Sequence, residues 1–276
     1  MTDARHPFQP APSFADTAVA RLSFVSAEER AALARVPVTM RSLGARDELV
    51  REGSMPENLC FLSTGWAFRY TTTRGGGRQV SAVLMPGGVC NLDTMMFERA
   101  DFGVRTLTEA KVLMLPRHRA LSLGAEYPGV GRAFLWLALA QNAILRQWAV
   151  GLGRRTAEQR LAHFLCEMNH HLGGGSSIEL PLTQELMADA LGLTSVHVNR
   201  TMQALRLKGL IAMVGRTLTI LDRDRLRTVA EFNSAYLDQI DEVASPNRPS
   251  PTGAGARFRV VDNERRPAPA WQAESA

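Results

Sequence analysis

Between Leu180 and Leu205 the chain reads LPLTQELMADALGLTSVHVNRTMQAL, and its polar residues are spaced so that one helix would carry them together. Ser195, Asn199, Arg200 and Gln203 share one side of such a helix, while Val198, Met202 and Leu205 share the other and face a core. Asn, Gln and Arg are the side chains that hydrogen-bond base edges bidentately, Asn or Gln to adenine and Arg to guanine. The residues before them supply a way to present that side. Thr183 is placed to cap a first helix with Leu186, Met187 and Ala190 on its buried face, Gly192 supplies a positive-φ turn, and Thr194 caps the second helix. Two short helices joined by a glycine turn make a helix-turn-helix, here about Thr183 to Gly209, whose second helix fits the major groove of double-stranded DNA. Residues 212–220, AMVGRTLTI, read as a hairpin turning at Gly215-Arg216, a wing whose Arg216 would reach phosphate.

Other reactive residues are set out less purposefully. His163, Cys166 and His170 lie on one helical face with His171 adjacent, a spacing that permits metal binding, but a core cysteine beside helix-end histidines explains it more simply. The three cysteines, Cys60, Cys90 and Cys166, are too few and too scattered for a disulfide framework or a four-cysteine cluster. Cys90 would sense redox state only if exposed with a low pKa; burial is the expectation for a free thiol. Neither Gly75–Gly77 nor Gly173–Gly175 is followed by Lys-Ser or Lys-Thr, and no HExxH or GxSxG occurs, so an enzyme has no residues to rest on. The expectations are no catalytic residues and no metal.

The elements that must hold the reading helix extend over most of 276 residues, enough for two modest domains. Charged residues make up 21% and apolar residues 45%, a globular balance, and the net charge of +5 is compatible with a polyanionic partner without demanding one. No apolar run reaches a membrane-spanning length and the N-terminus lacks a signal-peptide core, so a cytoplasmic protein without a membrane partner is expected. Proline-rich residues 1–20 read as a flexible arm. A short amphipathic helix follows from Phe24 to about Leu43, with Ser26 as its cap. Short segments Leu59–Leu62, Trp66–Tyr70, Val80–Leu84 and Lys111–Leu115, separated by glycine turns, suggest a small antiparallel barrel or sandwich. A long helix, about Val130 to Leu152, carries the stripe Phe134, Leu137, Gln141, Ile144, Leu145 and Trp148, which needs an apolar partner in the same chain or in a second copy. A further helix spans Ala157–Leu172, and residues 244–276 read as a disordered tail.

The stretch LTQELMADALGLTSVHVNRTMQALRLKGLI with the hairpin after it resembles the winged helix-turn-helix of the Crp/Fnr family, that of the cyclic-AMP receptor and the fumarate–nitrate regulator. A weaker likeness covers residues 24–228, including GWAFRY and VLMPGG in the strand region. The resemblance implies an α+β protein: a β-roll sensor domain at 21–127, a jelly roll like that of cyclic-nucleotide-binding domains, then a dimerisation helix at 128–155. The winged domain follows at 156–228 and a C-terminal helix at 229–243. It implies a homodimeric transcription regulator controlled by an unknown small effector or redox signal, with the long-helix stripe as dimer contact and RNA polymerase as a candidate partner.

Position by position, the first residues of the family's recognition helix fall on Ser195 and Val196 and its groove-facing Arg on Arg200; Asn199 is expected to add a base contact, and Thr183, Thr194, His197, Gln203 and Arg216 are the expected phosphate contacts. Val196 suits a thymine methyl. The family's nucleotide-binding Gly-Glu-Leu falls on Asn91-Leu92-Asp93, and its Arg-Ser pair on Ala100-Asp101, where the acid would repel a phosphate. Weak or absent cyclic-AMP binding is therefore expected. With no cysteine before Cys60, no iron–sulfur cluster is expected either, and a haem or another ligand in the β-roll stays open. The competing reading is a ligand-binding β-roll that regulates a partner protein through its C-terminal helices.

Overall fold

The computed structural model describes residues 13–244, so the expected tail and most of the expected arm lie outside the described residues. The chain begins with a 3-10 turn, Phe14–Asp16, and two short helices, α1 (Ala18–Arg21) and α2 (Ala27–Leu33). Within 13–20 the arm is not loose: Phe14 is fully buried, edge-on to Phe61 at 5.4 Å between ring centroids. Proline composition carries no information about one aromatic ring with a core to enter.

Ser26 starts α2 through a capping box, its Oγ accepting from Glu29 N and the Glu29 carboxylate accepting from Ser26 N at 2.7 Å. The helix expected to continue to Leu43 stops at Leu33. Pro37 has no N–H and disfavours helical geometry at Val36, so the chain leaves as a strand.

Seven strands build the roll: β1 (Thr39–Leu43), β2 (Glu48–Val50), β3 (Asn58–Thr64), β4 (Ala67–Thr72), β5 (Arg78–Leu84), β6 (Gly103–Thr106) and β7 (Ala110–Pro116). They form two antiparallel sheets, ordered β1-β7-β3 and β2-β6-β4-β5. Alternation sets the faces of the second sheet. Ala67 on β4 and Val104 on β6 belong to the roll's interior core with Leu62, Cys90 and Phe102. Phe68, Tyr70 and Val80 lie on the other face and belong to the core of the C-terminal half. The roll and the reading head therefore share a hydrophobic interface.

Helices α3 (Arg117–Glu126) and α4 (Pro128–Arg154) follow, then α5 (Ala157–His171), whose Thr156 makes a second capping box with Gln159. The remaining elements are β8 (Ser177–Glu179), α6 (Gln184–Leu191), α7 (Ser195–Leu207), β9 (Ile211–Val214), β10 (Thr217–Ile220), α8 (Arg223–Ala230) and α9 (Ala235–Ala244). The continuous helix expected at 229–243 is instead broken between α8 and α9, with Glu231 in the left-handed region at φ 48°. Helix α9 returns to the start of the chain, where its Val243 carbonyl accepts from Ser23 N at 3.2 Å. Among the described residues no helix is long and apolar enough to cross a membrane.

The stripe expected to form a dimer contact on α4 faces the same chain. Phe134 is buried in the N-terminal core with Leu137 packed against it, while Ile144 and Trp148 pack on the C-terminal core. Gln141 donates to Val89 O at 3.3 Å. Of the six, only Leu145 is exposed. The stripe was a true apolar face, but its partner is the chain's own two cores. The opposite side of α4 exposes Leu135, Ala138, Asn142, Leu145, Ala149 and Leu152.

Candidate nucleic-acid interface

The reading helix α7 is held by caps and by its underside. Thr183 Oγ1 accepts from Leu186 N at 3.1 Å and Thr194 Oγ1 accepts from His197 N at 3.2 Å, which fixes the first turn of α6 and of α7. Gly192 between them has φ 60°, and a Cβ there would lie 2.9 Å from Leu152 Cδ2. The left-handed backbone favours glycine there, and the Leu152 side chain of α4 packs close against the turn. Arg160 on α5 donates to Leu191 O and, at 3.2 Å, to Arg155 O, tying the turn to the end of the long helix.

Val198, Thr201, Met202 and Leu205 are buried beneath α7, and Thr201 Oγ1 donates back to His197 O at 2.8 Å. Ser195, Val196, His197, Asn199, Arg200 and Gln203 are all exposed, Val196 at 71%. They present one apolar contact among donors and acceptors, the set a base-edge surface needs. Asn199 Nδ2 donates to Gln184 Oε1 at 3.2 Å, which brings a residue overlooked in the sequence to the same surface. Its only signal was its place next to a cap. Strands β9 and β10 form the hairpin, with Gly215 at φ 58° and Arg216 exposed at its tip. Strand β8, unforeseen in the sequence, adds to the outer edge of β10.

Three further polar junctions join the elements of the molecule. Arg78 on β5 pairs with Asp189 on α6, Nη2 at 2.5 Å and Nε at 2.7 Å from Oδ2, and lies 3.4 Å from Glu185. Beside it Gln79 Nε2 donates to Ala190 O at 3.2 Å. Glu167 on α5 is fully buried and accepts from Trp148 Nε1 of α4 at 2.7 Å and from Tyr236 Oη of α9 at 2.5 Å. Burial holds its carboxyl up at about 7.

The third junction lies in the roll. Arg69 on β4 has its guanidinium inside, donating through Nη2 to Cys90 O at 2.9 Å and through Nη1 toward Gln141 Oε1 of α4 at 3.3 Å. Asp93 Oδ2 lies 3.5 Å away, and the guanidinium carbon sits 4.4 Å from the centre of the Phe102 ring. Burial lowers its pKa, with Asp93 opposing that shift most strongly. None of these residue-to-residue contacts could be read from spacing, because each crosses between elements far apart in sequence.

Cys60, Cys90 and Cys166 are buried free thiols. Burial pushes Cys60 and Cys166 up to about 12 and Cys90 higher, the reverse of a reactive thiolate. His163 is sandwiched against Phe232 and Tyr236. Among the described residues no group of three His, Cys, Asp or Glu could hold a metal ion.

A β-roll, a long helix and a winged helix-turn-helix with an exposed polar reading face define a DNA-binding regulator with a sensor-type domain. Residues 40–127 match the family model of the cyclic nucleotide-binding domain, and residues 159–229 that of the Crp-like helix-turn-helix domain. The nitrogen fixation regulation protein FixK of Rhizobium meliloti is 28% identical, covering 66% of this chain and 82% of the relative. The transcriptional activator protein FnrL of Cereibacter sphaeroides is 28% identical, covering 70% and 80% respectively. The structure of FixK2 from Bradyrhizobium japonicum superposes with a TM-score of 0.67 at 25% identity, covering 70% of this chain and 98% of that one. The chain belongs to the Crp/Fnr family and is a DNA-binding transcription regulator; its relatives are regulators, not enzymes.

Proposed function

We propose that this regulator binds a near-palindromic operator as a homodimer, reading bases with Ser195, Val196, Asn199 and Arg200. Thr183, Thr194, His197, Gln203 and Arg216 contact phosphate, and RNA polymerase is the candidate partner of the DNA-bound form. The observation that carries this reading is the exposure of all four base-reading candidates on one capped helix over a buried underside. Both cap threonines accept with Oγ1 and keep a hydroxyl proton free for a phosphate oxygen. The polar character of this face favours DNA over a protein partner, whose binding patch would carry more apolar residues. The cytoplasm, where DNA is met, is the proposed location.

The dimer contact is the exposed side of α4. Leu135, Ala138, Asn142, Leu145, Ala149 and Leu152 recur at alternating three- and four-residue steps, the seam of a left-handed coiled coil. A single Asn at such a position sets register at some cost in stability.

Selection of bound fragments from a random duplex pool tests the DNA assignment. Arg200→Ala should lose about 1–3 kcal/mol on the selected site and relax the preference at one base pair of each half-site. Arg216→Ala should weaken all sequences alike and flatten the salt dependence. Unchanged selectivity in Arg200→Ala would overturn the placement of the reading face.

A further inference from the structure

The Crp/Fnr resemblance implies that nucleotide-binding members hold the ligand with a Gly-Glu-Leu run and an Arg-Ser pair. Those stretches here, Asn91-Leu92-Asp93 and Ala100-Asp101, do not fit it. Asn91 is buried and wholly committed to the fold: Oδ1 accepts from Cys60 N at 2.9 Å, and Nδ2 donates to Asn58 O at 2.9 Å and Thr94 Oγ1 at 3.0 Å. Neither Ala100 nor Asp101 is a cation that could pair with a phosphate, and the Arg99 guanidinium before them donates to Gly53 O at 3.1 Å.

The neighbourhoods of both stretches converge instead, with α4, on Arg69. Cys90 O and Asp93 flank its guanidinium from the first stretch, the Phe102 ring beside Asp101 stacks on it, and Gln141 reaches it from α4. Arg69 side chain is only 12% exposed, and its Nε is buried with no hydrogen-bond partner. A buried cation is costly to hold unless its contacts are well made, and here those contacts span the junction between the roll and α4. Gln141 doubles the link, accepting from Arg69 while donating to Val89 O at 3.3 Å.

We propose that the Arg69 guanidinium is a built-in substitute for a nucleotide effector: from inside the β-roll it couples the roll to α4, so that the protein binds DNA without a cyclic nucleotide. Arg69 is a positioning residue, acting on α7 through α4.

Chemical rescue tests this. Wild-type protein should bind its selected operator with no added effector. Arg69→Ala should bind it about tenfold or more weakly, as expected for losing hydrogen bonds to a charged group, and millimolar guanidinium ion should restore the affinity. Arg69→Leu, which refills the space without charge, should stay weak and gain nothing from guanidinium. A loss with no rescue, or no loss in either variant, would overturn the proposal. If Arg69→Ala does not fold, Gln141→Leu, which cuts the guanidinium's link to α4 alone, must still weaken operator binding. Two further measurements do not depend on DNA. Amide exchange across residues 89–93 and around Gln141 should quicken in Arg69→Leu, and calorimetry should show no micromolar binding of cyclic AMP or cyclic GMP to wild type. Unchanged exchange, or such binding, would also overturn it. The proposal rests on the DNA-binding reading, but the outcomes separate: wild type that binds no DNA counts against that reading, whereas equal binding by wild type and variants counts against this one alone.

Discussion

Glu167 and His163 stand one turn apart on α5 and titrate in opposite senses. Burial raises the Glu167 carboxyl from 4.5 to about 7 against the pull of Tyr236, Trp148, Arg155 and His170. Burial, and then Arg155, lowers the His163 imidazole from 6.5 to about 4. A carboxyl that keeps its proton in the fold after the unfolded chain has lost it contributes fully below pH 4.5, and that contribution is lost as pH rises to about 7. An imidazole held neutral contributes fully above pH 6.5 and loses its contribution as pH falls to about 4. Each slope is about 1.4 kcal/mol per pH unit, so between pH 4.5 and 6.5 the two cancel. Relative to wild type, His163→Gln should therefore lose stability with rising pH across that window, and Glu167→Gln should gain it. Denaturant midpoints taken across the window measure both, and parallel profiles for all three proteins would count against this account. The same pair shows where sequence reading stops at this scale. Ser195, Asn199 and Arg200 were legible because a helical period places them without knowledge of any other element. Glu167 and Arg69 were not, since a charged residue in a helix or strand reads as solvent-facing until the element that covers it is known.

At the scale of elements, caps and glycine turns were the most legible features. Ser26, Thr183 and Thr194, each expected as a cap, accept the backbone N–H of the third residue beyond them, a relation confined to four consecutive residues; Thr156, not singled out in the sequence, does the same. The long helix was equally clear, and the partner of each of its faces was not. Its apolar residues go nearly all the way round, and a period identifies a face without saying whether the same chain or a second copy covers it. The structure resolves this by spending Phe134, Leu137, Ile144 and Trp148 on intrachain cores and leaving Leu135 and Leu145 61% and 46% exposed. Leu145→Glu, placed at the centre of the free seam, should put like charges opposite each other in a dimer without touching either core. Sedimentation equilibrium should show a shift from dimer to monomer, with the melting temperature of the protomer nearly unchanged and binding to a full palindrome reduced to that of a half-site. Leu137→Glu is the contrast: its charge would enter the N-terminal core, so folding itself should fail. A dimer that survives Leu145→Glu would place the interface elsewhere.

Across the whole molecule the three polar junctions between elements differ in kind. Glu167 joins α4, α5 and α9 inside the C-terminal half, and Arg69 joins the roll to α4. Arg78, with Gln79 beside it, runs directly from the roll to α6, the helix that carries the Gly192 turn and so sets the angle of α7. The apolar contact of Phe68, Tyr70 and Val80 with the C-terminal core holds the two bodies together without fixing their rotation, because hydrophobic burial is non-directional. The paired Nε and Nη2 bonds of Arg78 to one carboxylate oxygen supply direction. The pair is partly solvated, its side chains 29% and 22% exposed, so its effect on global stability should be at most about 1 kcal/mol. Its effect on operator binding depends instead on how tightly it restricts the angle of α7. Arg78→Asp should consequently leave the melting temperature within a few degrees of wild type while weakening operator binding and speeding proteolysis at the Arg154–Thr156 junction. Asp189→Arg should do the same. The double variant, which remakes the pair with its charges exchanged, should recover most of both losses, because a coupling between two side chains appears as non-additivity in the cycle. Additive losses in the double variant would mean that the hydrophobic face alone sets the head, and that Arg78 is only a surface cation near an acid.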